Sequence, residues 1–167
     1  MHLPLLLEEY RLMMTEDVKD LVRAFNANAV KYLIVDGHAF GVNARPRTTK
    51  DLDLFIRSDA EREKAVFRAL PYFGAPIAGI TAADGMTFEL CQPLERIDIL
   101  QKIDDLAFDE AWENRIQGTV DGEVHAAVVS RDDLIRNRLA SGHEQDLLDV
   151  KQLRRAPEAM KREAGEK

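Results

Sequence analysis

The sequence predicts an α+β domain in which a mixed sheet is flanked by helices. Helical patterns lie at both ends of the chain, short strand patterns lie in the middle, and a length of 167 residues suits one hydrophobic core. Hydrophobic residues make up 46% of the chain and charged residues 32%, which is typical of a globular domain and excludes a disordered or fibrous chain.

Amphipathic spacing and capping residues predict the helices. The first helix begins at Thr15 or Glu16 and ends near Asn28, because apolar residues between these positions recur at helical spacing. Ser130 is suited to cap a later helix, and Gly142 is suited to interrupt it. The other predicted helices span about 38–43, 60–72, 107–114, 131–140 and 144–153.

Short apolar or alternating runs, bounded by turn residues, predict the strands. These runs span about 32–35, 51–56, 86–91, 96–100, 116–120 and 123–128. Asp121 and Gly122 separate the last two runs, and this pair is typical of a two-residue hairpin turn. The strands therefore form a sheet in the middle of the chain that includes at least one hairpin.

Two aspartates, Asp51 and Asp53, alternate with apolar residues in the second predicted strand. Residues two apart in a strand point to the same side, so both carboxylates lie on one face while the other face is anchored in the core. Close carboxylates repel each other, and a divalent cation between them removes the conflict. A solvated strand face is the structural alternative for this pair.

A third aspartate, Asp98, interrupts the apolar strand predicted at 96–100. Three acids on adjacent strands can hold two metal ions about 4 Å apart, as in-line nucleotidyl displacement requires. Upstream, Asp36 and Gly37 lead from a strand into a short helix, whose N-terminus favours an anion. The combination predicts a site for a metal and a phosphate.

The overall charge limits the classes of ligand. A net charge of −7 makes the chain a poor general binder of nucleic acid, because the phosphate backbone requires a positive field. A local basic patch at Arg45, Arg47 and Lys50 is the exception. The single cysteine, Cys91, excludes an internal disulfide and is typical of a cytoplasmic protein.

The ends of the chain differ from its centre. We predict a single domain over 1–155, with a docking segment at 1–15 and a charged, frayed tail at 156–167. The apolar run at 3–7 is too short to span a membrane, so we expect it to cover this domain, a partner or a second copy in a homodimer.

These residues resemble the active-site signature of the DNA polymerase β-like nucleotidyltransferase superfamily. The resemblance is carried by segments 32–39, 45–55 and 96–100 and by the helical stretch 133–150, and it covers about residues 17–155. It is strongest to a small bacterial and archaeal branch that includes minimal nucleotidyltransferases, toxin–antitoxin and abortive-infection proteins, and aminoglycoside or lincosamide nucleotidyltransferases. The pattern is specific for the fold and leaves the substrate open.

The resemblance implies a nucleotidyltransferase fold with a helical C-terminal tail and a Mg²⁺-dependent enzyme. Such an enzyme moves a nucleoside monophosphate from a nucleoside triphosphate to a hydroxyl, here on a tRNA end or a partner protein of a toxin–antitoxin or defence system. Asp51, Asp53 and Asp98 would be the catalytic residues and hold two Mg²⁺ ions. The implied nucleotide-binding residues are Gly37, His38, Arg47, Lys50 and Arg138.

Some of these residues have a second interpretation. His38 either binds phosphate or caps the short helix that it begins. Asp146 and Asp149 lie on one helical face, and we expect them to pair with Arg138 or Lys151 rather than to bind metal.

One position departs from the family pattern. The family has two small residues at the turn, whereas this chain has Asp36 before Gly37. An acid beside a triphosphate is a like-charge clash, so the nucleotide sits differently, Asp36 points away, or activity is weak. A non-catalytic antitoxin or scaffold subunit is therefore one alternative function. An antibiotic nucleotidyltransferase is the other.

Overall fold

The computed structural model describes residues 11–12, 16–44, 51–57, 61, 64–66, 68–69, 86–91 and 94–165. Its strands are β1 Arg11–Leu12, β2 Tyr32–Val35, β3 Asp51–Ile56, β4 Met86–Cys91, β5 Leu94–Leu100, β6 Ile116–Val120 and β7 Val124–Val128. Its helices are α1 Glu16–Ala27, α2 Asp36–Asn43, α3 Phe108–Glu113, α4 Arg131–Ser141 and α5 Glu144–Gly165, and the described residues between 61 and 69 are also helical. None of the described helices combines the length and apolar character needed to cross a bilayer.

The described strands form one mixed sheet in the order β1-β6-β7-β2-β3-β5-β4. Parallel pairs join β1 to β6, β7 to β2 and β3 to β5, while the remaining neighbours are antiparallel. With helices packed on this sheet, the predicted α+β class is confirmed. The order places β2, β3 and β5 side by side. Asp51 and Asp53 lie in β3, Asp98 lies in β5, and Asp36 directly follows β2.

The core lies against these central strands. Leu52, Leu54 and Ile56 are almost fully buried, as the alternation in β3 predicts. Phe55, on the opposite face, is also buried, because its ring meets Phe108 of α3 edge-on at a centroid distance of 5.4 Å. β3 is therefore held from both sides beyond Asp53, and this fixes the position of its aspartates.

The structure corrects several predicted boundaries. The hairpin loop has three residues, 121–123, because Val120 pairs with Val124. The helix predicted to start at His38 begins at Asp36, and the helix predicted to end near Leu153 continues to Gly165. Local spacing locates the ends of helices only to within a few residues, and less well where a helix continues into a charged segment.

Part of the predicted docking segment belongs to the sheet. Arg11 and Leu12 form the edge strand β1 and pair in parallel with Thr119 and Val120 of β6. Residues 1–10, including the apolar run, lie outside the described part of the chain. Residues 11–12 therefore contribute backbone pairing to this domain.

The capping of α4 agrees with the sequence. Ser130 accepts a hydrogen bond from the backbone N–H of Asp133 at 3.2 Å, and Gly142 ends the helix in a left-handed conformation with φ 67°. We expect Ser130→Ala to lower the free energy of unfolding by about 1 kcal/mol, because one helix N–H loses its partner. Urea denaturation measures this loss. A free energy equal to that of the wild type would contradict a stabilising cap.

Candidate active site

Three neighbouring strands bring three aspartates to one end of the sheet. In the antiparallel pair β2–β3, Val35 lies opposite Asp53, so Asp36 follows directly where β2 ends. In the parallel pair β3–β5, Asp53 lies opposite Asp98. Asp53 is thus the middle member of a row, with Asp36 on one side and Asp98 on the other.

The carboxyl groups of this row interact directly. Burial, the negative charge of Asp36 and hydrogen bonding to both Asp36 and Asp98 raise the pKa of Asp53 to about 8. The Asp53 carboxyl therefore keeps its proton at neutral pH when no cation is bound, and it hydrogen-bonds with both neighbours. A divalent cation can take the place of such a proton, because it also neutralises facing carboxylates.

The sequence does not indicate that Asp36 belongs to this row. In the sequence Asp36 is only a departure from the family turn, because the antiparallel register of β2 and β3 is not visible in either segment alone. In the structure Asp36 has a φ of 59°, which lies in the left-handed region that glycine adopts at a lower conformational free energy than other residues. The one signal available was its position at the C-terminal end of a buried strand.

Arg138 connects this row to the C-terminal helices. Its guanidinium lies 3.3 Å from the Asp36 carboxylate, 3.0 Å from Asp146 and 3.9 Å from Asp149. The Arg138 side chain is only 14% exposed and that of Asp149 only 1%. The predicted pairing of Arg138 with Asp146 and Asp149 is therefore confirmed, and Asp36 is an additional partner that the sequence did not indicate.

Asp51 and His38 lie at the border of the row. Asp51 is exposed at the start of β3, whereas His38 is half-buried in α2. Burial lowers the pKa of His38 below its usual value, and the nearby charge of Asp51 opposes this shift. Because α2 begins at Asp36 with Val35 at the N-cap position, His38 does not cap that helix. Its role in phosphate binding stays a prediction.

The remaining predicted nucleotide ligands are placed unequally. Gly37 lies in the first turn of α2, beside Asp36, and is partly accessible. Arg47 and Lys50 belong to residues 45–50, which lie outside the described part of the chain. The structure thus brings Gly37, His38 and Arg138 close to the aspartate row in α2 and α4, and it leaves the basic segment as a prediction.

The described residues bear on whether the site suits a metal. Among them, no group of three or more His, Cys, Asp or Glu residues is found that could hold a metal ion. The facing pair Asp53 and Asp98 does suit Mg²⁺, which proteins usually bind through one or two carboxylates together with substrate phosphates and water. The donor set therefore fits a cation that arrives with a nucleotide.

Comparisons with known proteins agree with this fold. A family profile described as "Nucleotidyltransferase of unknown function (DUF6036)" matches residues 11–154. Six chains of solved structures match, among them the lincosamide antibiotic adenylyltransferase LnuA in its lincomycin-bound crystal structure. LnuA has a TM-score of 0.59 and 16% identity, over 87% of this chain and 99% of its own. No curated protein matches the chain.

Proposed function

Because the chain belongs to the family of nucleotidyltransferases of unknown function that matches residues 11–154, we propose that it transfers a nucleoside monophosphate from a nucleoside triphosphate to a hydroxyl acceptor. The observation that supports this proposal is the position of Asp53, half-buried and hydrogen-bonded between two further carboxyl groups. Such a row is costly to keep without a cation, so a catalytic use accounts for it.

In this proposal, Asp53 and Asp98 would hold Mg²⁺ when the triphosphate is bound. Asp51, at the exposed border, would complete the set for a second ion. The cation would offset the charge that develops on the phosphates during displacement.

The residues of the row also handle the proton. Asp98 accepts the proton of the acceptor hydroxyl. At the same time the hydroxyl oxygen forms a bond to the α-phosphorus, and the bond from this phosphorus to pyrophosphate breaks. The backbone N–H groups of Gly37 and His38, in the first turn of α2, would donate to the phosphates. Arg47, Lys50 and Arg138 provide positive charge for the triphosphate.

For the acceptor, we propose a tRNA end or a tyrosine of a partner protein, within a toxin–antitoxin or defence system. The basic residues Arg45, Arg47 and Lys50, directly before β3, support a polyanionic acceptor in an otherwise acidic chain. The likeness to LnuA concerns the fold, and it makes a lincosamide the alternative acceptor to include in the same assay.

The test is label transfer from each of the four α-³²P nucleoside triphosphates with Mg²⁺, offered tRNA, cell lysate proteins or lincomycin in separate reactions. We expect transfer to one acceptor class that is lost in Asp53→Asn and Asp98→Asn. Asp105→Asn, which removes an equal charge at an exposed position, serves as the matched control. No transfer to any acceptor by the wild type would favour a non-catalytic scaffold.

A further inference from the structure

The contact between Arg138 and Asp36 gives the site a property that the proposed function does not include. Atom Nη2 of Arg138 faces the Asp36 carboxylate at 3.3 Å, and Asp36 in turn hydrogen-bonds with Asp53. Building on the proposed function, we propose that Asp36 is an internal competitor of the triphosphate, which occupies the anion position on Arg138 until the nucleotide displaces it.

Asp146 hydrogen-bonds with the guanidinium of Arg138 from the α5 side, and the charge of Asp149 lies nearby. Nη1 pairs with Asp146 at 3.0 Å and Nε lies 3.9 Å from Asp149, both from α5. These two carboxylates are 10% and 1% exposed, so neither is free to leave for solvent. The side of Arg138 that remains for an incoming phosphate is therefore the side that Asp36 covers.

Asp36 differs from those two carboxylates in its freedom to move. Its side chain is 37% exposed, and its backbone is in the left-handed region with φ 59°, a conformation that costs an aspartate free energy. Asp36 is thus both the most accessible and the most strained partner of Arg138. It is the partner that an anion can replace.

Charge explains why this replacement has a cost. The single positive charge of Arg138 faces three carboxylates, those of Asp36, Asp146 and Asp149, so its surroundings are already negative. A triphosphate without a cation meets this charge and must also displace Asp36. Asp36 therefore keeps free polyphosphate out of the site, and it makes entry depend on a cation that compensates the row.

The test uses inorganic tripolyphosphate, the part common to all nucleoside triphosphates, measured by isothermal titration calorimetry in the presence of EDTA. The variants are Asp36→Asn, which keeps the size of the side chain, and Asp36→Gly, which also relieves the backbone strain. We expect both to bind at least about tenfold more tightly than the wild type, because a like charge at the phosphate position is removed.

Asp105→Asn is the matched control. Asp105 also has a positive φ, 55°, and also pairs with an arginine of α4, Arg136 at 3.6 Å, but both side chains are largely exposed. We expect its affinity for tripolyphosphate to stay within roughly twofold of the wild type, because exposed charges are screened. Side-chain NMR of ¹⁵N-arginine should show the Arg138 signal shifting on binding in Asp36→Asn.

Unchanged affinity in both folded Asp36 variants, or an equal gain in Asp105→Asn, would overturn the competitor role. Melting temperatures of all three variants verify that they are folded. The label-transfer assay separates this result from the proposed function. If the wild type transfers label but Asp36→Asn gains no affinity for tripolyphosphate, the proposed function stands and the competitor role of Asp36 is overturned. If Asp36→Asn gains affinity but no label is transferred, the competitor role stands and the proposed function is overturned.

Discussion

Replacing Asp53 with asparagine should raise the melting temperature of the metal-free protein while abolishing nucleotidyl transfer. Asp53 is partly buried beside two carboxyl groups, so its charged form is disfavoured in the absence of a cation. Asparagine keeps the shape and the hydrogen-bonding capacity without this charge. We expect the variant to be about 1–2 kcal/mol more stable than the wild type at pH 8.5 in EDTA, measured by urea denaturation.

The same residue gives the wild type a defined pH dependence. The pKa of Asp53 is about 8 in the folded chain, against an ordinary value of 3.8. Between these values the folded chain binds a proton that the unfolded chain has lost, so this contribution to stability is present at low pH and decreases as pH rises through 8. In EDTA the wild type should therefore lose stability from pH 5 to pH 9 relative to Asp53→Asn.

Asp51→Asn is the control for this comparison. Asp51 lies on the same strand two residues away but is exposed, so its substitution should change the free energy of unfolding by less than about 0.5 kcal/mol. Parallel stability profiles of Asp53→Asn and the wild type across this pH range would refute the statement that the folded chain keeps a proton on Asp53.

Replacing Arg138 with glutamine should destabilise the protein by about 3–5 kcal/mol, because it leaves buried carboxylates without their cation. Asp149 is 1% exposed and Asp146 10%, and Arg138 pairs with both. The loss can be measured from the midpoint and slope of urea unfolding at pH 7. Added nucleotide should not restore the lost stability, since the loss arises on the α5 side of the arginine.

Arg136→Gln is the matched comparison, two residues earlier on the same helix. Arg136 is 49% exposed, and its pairs with Asp105 and Asp133 span 3.6 and 3.9 Å. Asp105 is exposed, and although the Asp133 side chain is only 5% exposed, its 3.9 Å separation from Arg136 is too long for a hydrogen bond. Because the arginine itself is open to solvent, we expect Arg136→Gln to lose less than about 1 kcal/mol, so the two variants should differ clearly in their free energies of unfolding. Similar decreases in the free energy of unfolding for Arg138→Gln and Arg136→Gln would contradict a stabilising contribution from the buried pairs of Arg138.

Much of the aspartate row was predictable from residue alternation. Asp51 and Asp53 share a face because strand side chains alternate, and Asp98 stands out among isoleucines in a strand of its own. The facing of Asp53 and Asp98 follows once β3 and β5 are parallel neighbours, and the resemblance to nucleotidyltransferases implied this arrangement. Local pattern and family signature point to the same two residues.

Asp36 could not be assigned in the same way. Its place beside Asp53 depends on the antiparallel register of β2 and β3, which is fixed by tertiary packing rather than by either segment. The left-handed backbone of Asp36 is likewise not visible in the sequence, because glycine is the residue that usually marks a positive φ, and this position holds an aspartate. The end of α5 at Gly165 is also not encoded locally, because spacing alone does not locate the end of a helix.

The connection between α4 and α5 determines whether the C-terminal helix can be exchanged independently of the rest of the domain. Gly142 turns the chain after α4, so that α5 returns two aspartates to an arginine on the preceding helix. A chimera that exchanged α5 for the tail of a relative would also exchange the anchors of Arg138. The C-terminal helix and the end of the sheet that carries Asp36 are therefore joined through one arginine, so a substitution in either part changes the charge balance of the other.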